Sequence, residues 1–320
     1  MSNLGFWEKL KKPIFVLAPM ADVTDCAFRT LINKYGKPDV FWTEFVSADG
    51  LAHPIAREKL LIDFKFDKNE HPIVAQIFGG KPENIKIASA LCRELGFDGI
   101  DINMGCPDKS VEKQCAGAGM IKDPELAKEI IKAAKEGGGG LPVSVKTRIG
   151  YNKNEIETWI RGLLEQDLAV LTVHLRTRKE MSDVPAHWDL MKRILEIRDE
   201  LGVKTLVFGN GDALDLADAK KKCAETGCDG VMLGRAIFGN PWLFSGKVPT
   251  VKEKLEVMIE HTKLFEVMLG GIKNFAIMKK HYKAYVNGFD GAKELRMKLM
   301  GAENADEVKS IVDDWLKNVV

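Results

Sequence analysis

The stretch Ile100-Asp101-Ile102-Asn103-Met104-Gly105-Cys106-Pro107 decides how the chain folds. It begins as an apolar strand over 98–102 and turns polar at its C-terminal end. A cysteine follows, held between Gly105 and Pro107, and then the glycine-rich Ala116-Gly117-Ala118-Gly119. A strand apolar on both faces belongs to a parallel sheet covered on both sides. Chemistry-bearing residues just beyond its C-terminal end mark a barrel of parallel strands, whose active sites are built from those loops.

The same unit recurs in both directions. Upstream, apolar runs at 14–18, 40–42 and 72–78 read as strands, and Pro82 suits the first turn of a helix. Downstream, runs at 142–146, 169–173, 204–208 and 229–233 alternate with helical patterns near 123–136, 153–166 and 213–226, and with one through Trp188, Ile194 and Ile197. Eight such units without a dinucleotide-type glycine fingerprint predict an α/β fold, a TIM (β/α)8 barrel. After a short linker at 247–250 the strand runs stop. Leu255, Met258, Ile259, Thr262 and Phe265 follow helical spacing. Residues 249–320 therefore read as a small all-helical C-terminal domain behind a barrel of residues 1–248.

The 320 residues are 45% hydrophobic and 29% charged, enough for a real core in a water-exposed molecule, and the net charge is +1. A nucleic-acid partner therefore needs a local basic face. One exists: from Lys273 to Lys298 there are seven Lys/Arg against two acidic residues, with Lys279-Lys280-His281 close to Tyr282 and Tyr285. Such a face suits a phosphate backbone and stacked bases, and equally a solvated helix. Six irregularly spaced cysteines fit a reduced, cytoplasmic protein. Cys223 and Cys228 lack the second ligand pair that zinc needs, so no metal is expected. Met1 to Pro13 has no apolar signal core and no apolar run reaches membrane length, so no membrane contact is expected either.

The candidate chemistry sits at strand ends. Cys106 follows the fourth strand. Its thiol can donate a proton or, as thiolate, attack; without a neighbouring histidine to activate it, donation is favoured. Asn103 can read a carbonyl and N–H edge such as that of a pyrimidine, or cap a turn. Lys146 and Arg148 end the fifth strand and His174 the sixth. Gly209-Asn210-Gly211 and Gly234-Arg235, after the seventh and eighth, put backbone N–H groups where barrels commonly hold a phosphate.

Together these residues resemble the tRNA-dihydrouridine synthases. Ala18 to Asp25, Thr43-Glu44-Phe45, Gln76-Ile77-Phe78-Gly79, Asp101 to Met120, Pro142 to Gly150, Val173 to Arg178, Gly209 to Asp212 and Asp229 to Trp242 match the family's motifs in order and spacing. Lys279-Lys280-His281, Tyr285, Gly288-Phe289 and Glu294-Leu295-Arg296 resemble the helical domain of bacterial members. The resemblance implies FMN as cofactor and NADPH, or less often NADH, as hydride source. It implies reduction of the C5–C6 bond of D-loop uridines in tRNA, gripped at D-loop and elbow by a monomer. By the same resemblance Pro19 and Met20 lie against the flavin, Gln76 hydrogen-bonds its ring, and Lys146 and His174 hold it. Asn210, Gly211, Asp212, Gly234 and Arg235 surround its phosphate. Asn103, Arg148 and Arg178 orient the uridine, and Cys106 protonates C5 after hydride reaches C6. Lys279, Lys280, His281, Tyr285 and Arg296 hold the tRNA. Two departures stand out: Leu175 replaces the family's usual glycine, and the loop 179–187 lacks its usual tyrosine and glycine. Two rival readings remain: a flavin barrel that reduces a free pyrimidine or enone, and a non-catalytic RNA-binding protein or chaperone.

Overall fold

Apolar runs become strands where the sequence places them, and the sheet they form closes on itself. The computed structural model describes residues 3–319, with side chains to 317. The strands are β1 (Ile14–Leu17), β2 (Phe41–Trp42), β3 (Val46–Ser47), β4 (Ile73–Phe78), β5 (Gly99–Met104), β6 (Val143–Arg148), β7 (Val170–His174), β8 (Leu206–Asn210) and β9 (Gly230–Leu233). Their order is β1-β9-β8-β7-β6-β5-β4-β2, all parallel, with β3 also on β4. Thr43 to Phe45 interrupts a single barrel position, so β2 and β3 together make one of eight. The ring closes through a bridge between Val16 and Val40 and a hydrogen bond from Asp39 N to Phe15 O.

The N-terminal lead-in is a 3₁₀ helix, Gly5–Lys9, and it serves the barrel. Its Trp7 is buried and packs against Trp42 and Phe208, each with ring centroids 5.7 Å away. Val16, Val74 and Met232 complete that apolar floor. Outer helices fill the crossovers. The helix Pro124–Gly138 is capped by Asp123 and closed by Gly139 at φ 57°. Gly137 falls inside it, not in a breaking loop as the Gly137–Gly140 run suggests. A Cβ there would stand 2.1 Å from Lys86 O, so glycine lets this helix press against Pro82–Glu94. The helical pattern at 153–166 forms only as a π-helical turn, Ile156–Ile160, followed by Arg161–Leu164.

The chain divides into two compact units, and the division is not the linear one at 248/249. Residues up to Met20 together with Pro38–Gly234 form the barrel unit; Ala21–Lys37 joins the residues from Arg235 onward. Within that second unit, Cys26–Tyr35 lies against Val251–Leu269. Phe28 stacks on His261 with centroids 4.5 Å apart, and Lys34 and Tyr35 both bond Glu260, at 2.7 and 2.6 Å. Phe28, Leu31 and Ile32 are thereby buried. The remaining helices are Ile277–Tyr285, Ala292–Leu299 and Ala305–Val319. Among the described residues no helix is long and apolar enough to cross a membrane.

Candidate active site

Polar residues on β4 to β8 take the barrel's upper interior. The apolar runs stop at 102, 146, 173 and 208, but the backbone strands continue to Met104, Arg148, His174 and Asn210. Side chains alternate along a strand, so Asp101 and Asn103 share a face, as do Ser144, Lys146 and Arg148. Register pairs Asn103 with Lys146, Arg148 with His174, and His174 with Asn210. The predicted groups therefore line adjacent strands on two successive levels, Asn103 with Lys146 and, two residues further along, Arg148 with His174 and Asn210.

Cys106 stands on the loop after β5, half-buried. Asn103 Oδ1 accepts from Gly105 N at 3.1 Å and Cys106 N at 2.9 Å. Of the two roles left open for Asn103, turn capping is the one its carbonyl performs here. Arg148 Nε donates to Gly105 O at 2.8 Å, and its Nη1 to Thr177 O and Met181 O, both at 3.0 Å. Arg148 thus ties the Cys106 loop to the loop after β7 through Nε and Nη1, while its Nη2 makes no hydrogen bond to the described residues. Burial pushes the Cys106 thiol up, and Lys146 and Arg148 offset this only in part. The thiol is therefore a proton carrier at neutral pH. Cys115, the local competitor, is exposed and takes φ 53°.

Lys146 enters the mouth from β6 with one hydrogen bond, to Asn210 Oδ1 at 3.3 Å. Loss of hydration, then the like charge of Arg148, push its ammonium down to about 8. An ammonium with three donors and one long contact calls for an acceptor. Beside it, Gly211 has φ 118°, and a Cβ there would stand 2.8 Å from Ala186 Cβ and 3.2 Å from His174 Cδ2. Glycine is needed there because the loop after β7 already fills the space a side chain would take. Gly234 lies near Ala18 and Met20; a Cβ there would make only ordinary contacts, at 3.6 and 3.9 Å. Pro19 and Met20 are half-buried at the end of β1.

Several site residues do other work than the resemblance implies. The Gln76 amide is fully buried, donating to Asp101 at 2.6 Å and accepting from Asn103 at 3.1 Å. Asp212 faces Arg176 at 2.5 Å and accepts from Ala186 N, so its carboxylate braces the loop. Arg178 is paired with Glu112 at 2.6 and 3.0 Å and lies over Tyr151. Arg235 opens a 3₁₀ turn of the second unit and is exposed. His281 and Tyr285 are completely buried and cannot stack on bases: burial follows from their position on the apolar side of Ile277–Tyr285, facing Phe28 and His261. Tyr282 is buried likewise and bonds Thr262. Arg296 donates to Val286 O. Lys279 is half-buried, whereas Lys280 and Lys283 are exposed. Leu175 needs no left-handed backbone; its side chain is buried and its N–H reaches Asn210 O at 3.0 Å.

Sequence reading passed over three buried groups. Asp101 and Ser144 sit inside the barrel, and Arg176 donates to Val184 O and Asp212 and meets His174 Nε2 at 3.0 Å. A charged residue inside an otherwise apolar strand, as Asp101 is, was the available signal.

Comparisons with known proteins bear on the family and the fold. The family model described as Dihydrouridine synthase (Dus) matches residues 16–320. A probable tRNA-dihydrouridine synthase of Staphylococcus aureus strain Mu50 is 44% identical over 316 residues, 97% of this chain and 95% of that one. The probable tRNA-dihydrouridine synthase 2 of Bacillus subtilis is 44% identical over 315 residues, 97% and 96% of the two chains. Among solved structures, morphinone reductase shares the fold with TM-score 0.55 at 14% identity, over 76% of this chain and 87% of that one. The model match over nearly the whole length and the relatives at this identity make the chain a member of the dihydrouridine synthase family.

Proposed function

We propose that this chain reduces uridine to 5,6-dihydrouridine in the D-loop of tRNA, using FMN recharged by NADPH or NADH. The observation that carries the reading is Cys106, a thiol kept protonated at the barrel mouth on a loop that Asn103 and Arg148 hold still. The under-used ammonium of Lys146 suits a phosphate-bearing flavin. Lys146, His174, Asn210 and Gly211 would hold it, with Pro19 and Met20 against the ring.

When bound, the flavin supplies the hydride that adds to C6 of the uracil. The protein's own residues do the remaining work. As C6 gains hydride, negative charge grows on C5 and the C4 carbonyl. Cys106 Sγ–H gives its proton to C5, and the thiolate regains one from solvent. The cations at Lys146 and Arg148 lie near enough to lower the thiol's pKa, so they also ease the thiolate that forms. Arg148 Nη2 offers a donor for a uracil carbonyl. The target base must leave its stack to enter such a mouth. Exposed Lys280 and Lys283 of the second unit would engage the phosphate backbone, which carries affinity without reading sequence. The enzyme acts as a monomer in the cytoplasm.

The full-length protein, purified and incubated with NADPH and unmodified tRNA, should show a flavin spectrum and add two hydrogens to a D-loop uridine by mass spectrometry. A flavin-bearing protein that oxidises NADPH, leaves tRNA unchanged and reduces a free pyrimidine or enone would overturn the assignment.

A further inference from the structure

A chain of carboxamides has two equally good directions unless its ends are each of one kind. Inside this barrel such a chain runs from β6 to the catalytic loop. Ser144 Oγ donates to Asp101 Oδ1 at 2.5 Å, and Gln76 Nε2 donates to Asp101 Oδ2 at 2.6 Å. Asn103 Nδ2 donates to Gln76 Oε1 at 3.1 Å, and Asn103 Oδ1 accepts from the N–H groups of Gly105 and Cys106. Asp101 and Gln76 are wholly buried, and Ser144 and Asn103 nearly so, so water cannot substitute for a lost partner. An ionised carboxylate only accepts and a main-chain N–H only donates. With those two ends fixed, both amides between them have a single orientation.

We propose that Asp101 is a positioning residue for Cys106: by accepting from Gln76 it turns the Asn103 carbonyl onto Gly105 and Cys106 and so fixes where the thiol stands. The catalytic meaning of this relay rests on Cys106 being the proton donor described above. Asparagine at 101 can keep the direction, because its carbonyl can accept from Gln76 while its amide faces Ser144, whose hydroxyl already lies 3.2 Å from Ile100 O. Leucine cannot accept at all. Methionine at 76 cuts the relay in its middle while leaving Asp101 and Asn103 in place.

The test is the rate at which iodoacetamide alkylates Cys106 in the full chain, with exposed Cys115 replaced by serine. Asp101→Leu and Gln76→Met should each raise the rate about tenfold by freeing the loop. The double variant should be no faster than either single one, since both cut the same chain. Asp101→Asn should restore a rate within about threefold of the parent. Leucine and methionine variants that react like the parent would overturn the proposal, as would an Asp101→Asn as fast as Asp101→Leu. If Asp101→Leu does not fold, Gln76→Met set against Asp101→Asn makes the same comparison. Alkylation is read without any uridine reduction, so failure of the relay and failure of the proposed activity are told apart.

Discussion

Cys106 and Lys146 are both shaped by burial, and in ways that serve each other. The thiol is pushed up and stays protonated; the ammonium is pushed down to about 8 and is only weakly occupied. A depressed Lys146 is charged below its folded pKa and neutral above it. Affinity for an anionic flavin should therefore hold up to about pH 8. Above that the Kd should rise, by up to about tenfold per pH unit. Fluorescence titration of FMN across pH 7 to 10 measures this, and Lys146→Met should bind weakly with no such inflection. Cys106, Lys146 and His174 were legible in the sequence because a polar residue at the end of an apolar strand of a barrel points at its mouth. Roles that depend on partners were not legible. Gln76 and Asn103 look like ligands in one dimension, and only the folded barrel shows their amides joined to each other and to Asp101.

At the scale of elements, the helix Ile277–Tyr285 separates what sequence reading ran together. Its Lys280 and Lys283 point outward while His281, Tyr282 and Tyr285 enter the core. Lys280→Glu with Lys283→Glu should weaken tRNA binding about tenfold and flatten the salt dependence by about one to two units of log–log slope, leaving flavin reduction intact. Filter binding over a salt series checks this. The buried histidines give the same unit a different signature. Burial holds His281 down to about 3 and His261 well below its free value. The unfolded chain binds protons that the folded one refuses. The stability these groups permit is therefore complete above about pH 6.5 and falls as pH drops toward 3, by about 1.4 kcal/mol per unit for each histidine. Urea unfolding between pH 7 and 5 should show that slope, and His281→Phe should flatten it. A residue count of charges finds a basic helix; which side it presents depends on Phe28, contributed by a segment far away in sequence.

At the scale of the molecule, the barrel was legible because eight apolar runs recur with helices between them, and the boundary was not. Nothing in the composition of 21–37 marks it as part of the helical unit, since Phe28, Leu31 and Ile32 have the spacing of any crossover helix. A fragment ending at 248 leaves those side chains without the helix Val251–Leu269. It should be insoluble or aggregate, by light scattering, under conditions in which the full chain does not.

Proton delivery by Cys106 is the step on which the proposed reaction turns. Single turnover with the flavin already reduced isolates that step: rapid mixing with unmodified tRNA, then dihydrouridine quantified against time for the parent and for Cys106→Ala. Proton delivery by Cys106 means that Cys106→Ala should be reduced by NADPH as fast as the parent but form dihydrouridine about a hundredfold or more slowly. Equal rates of dihydrouridine formation in the two proteins would contradict it.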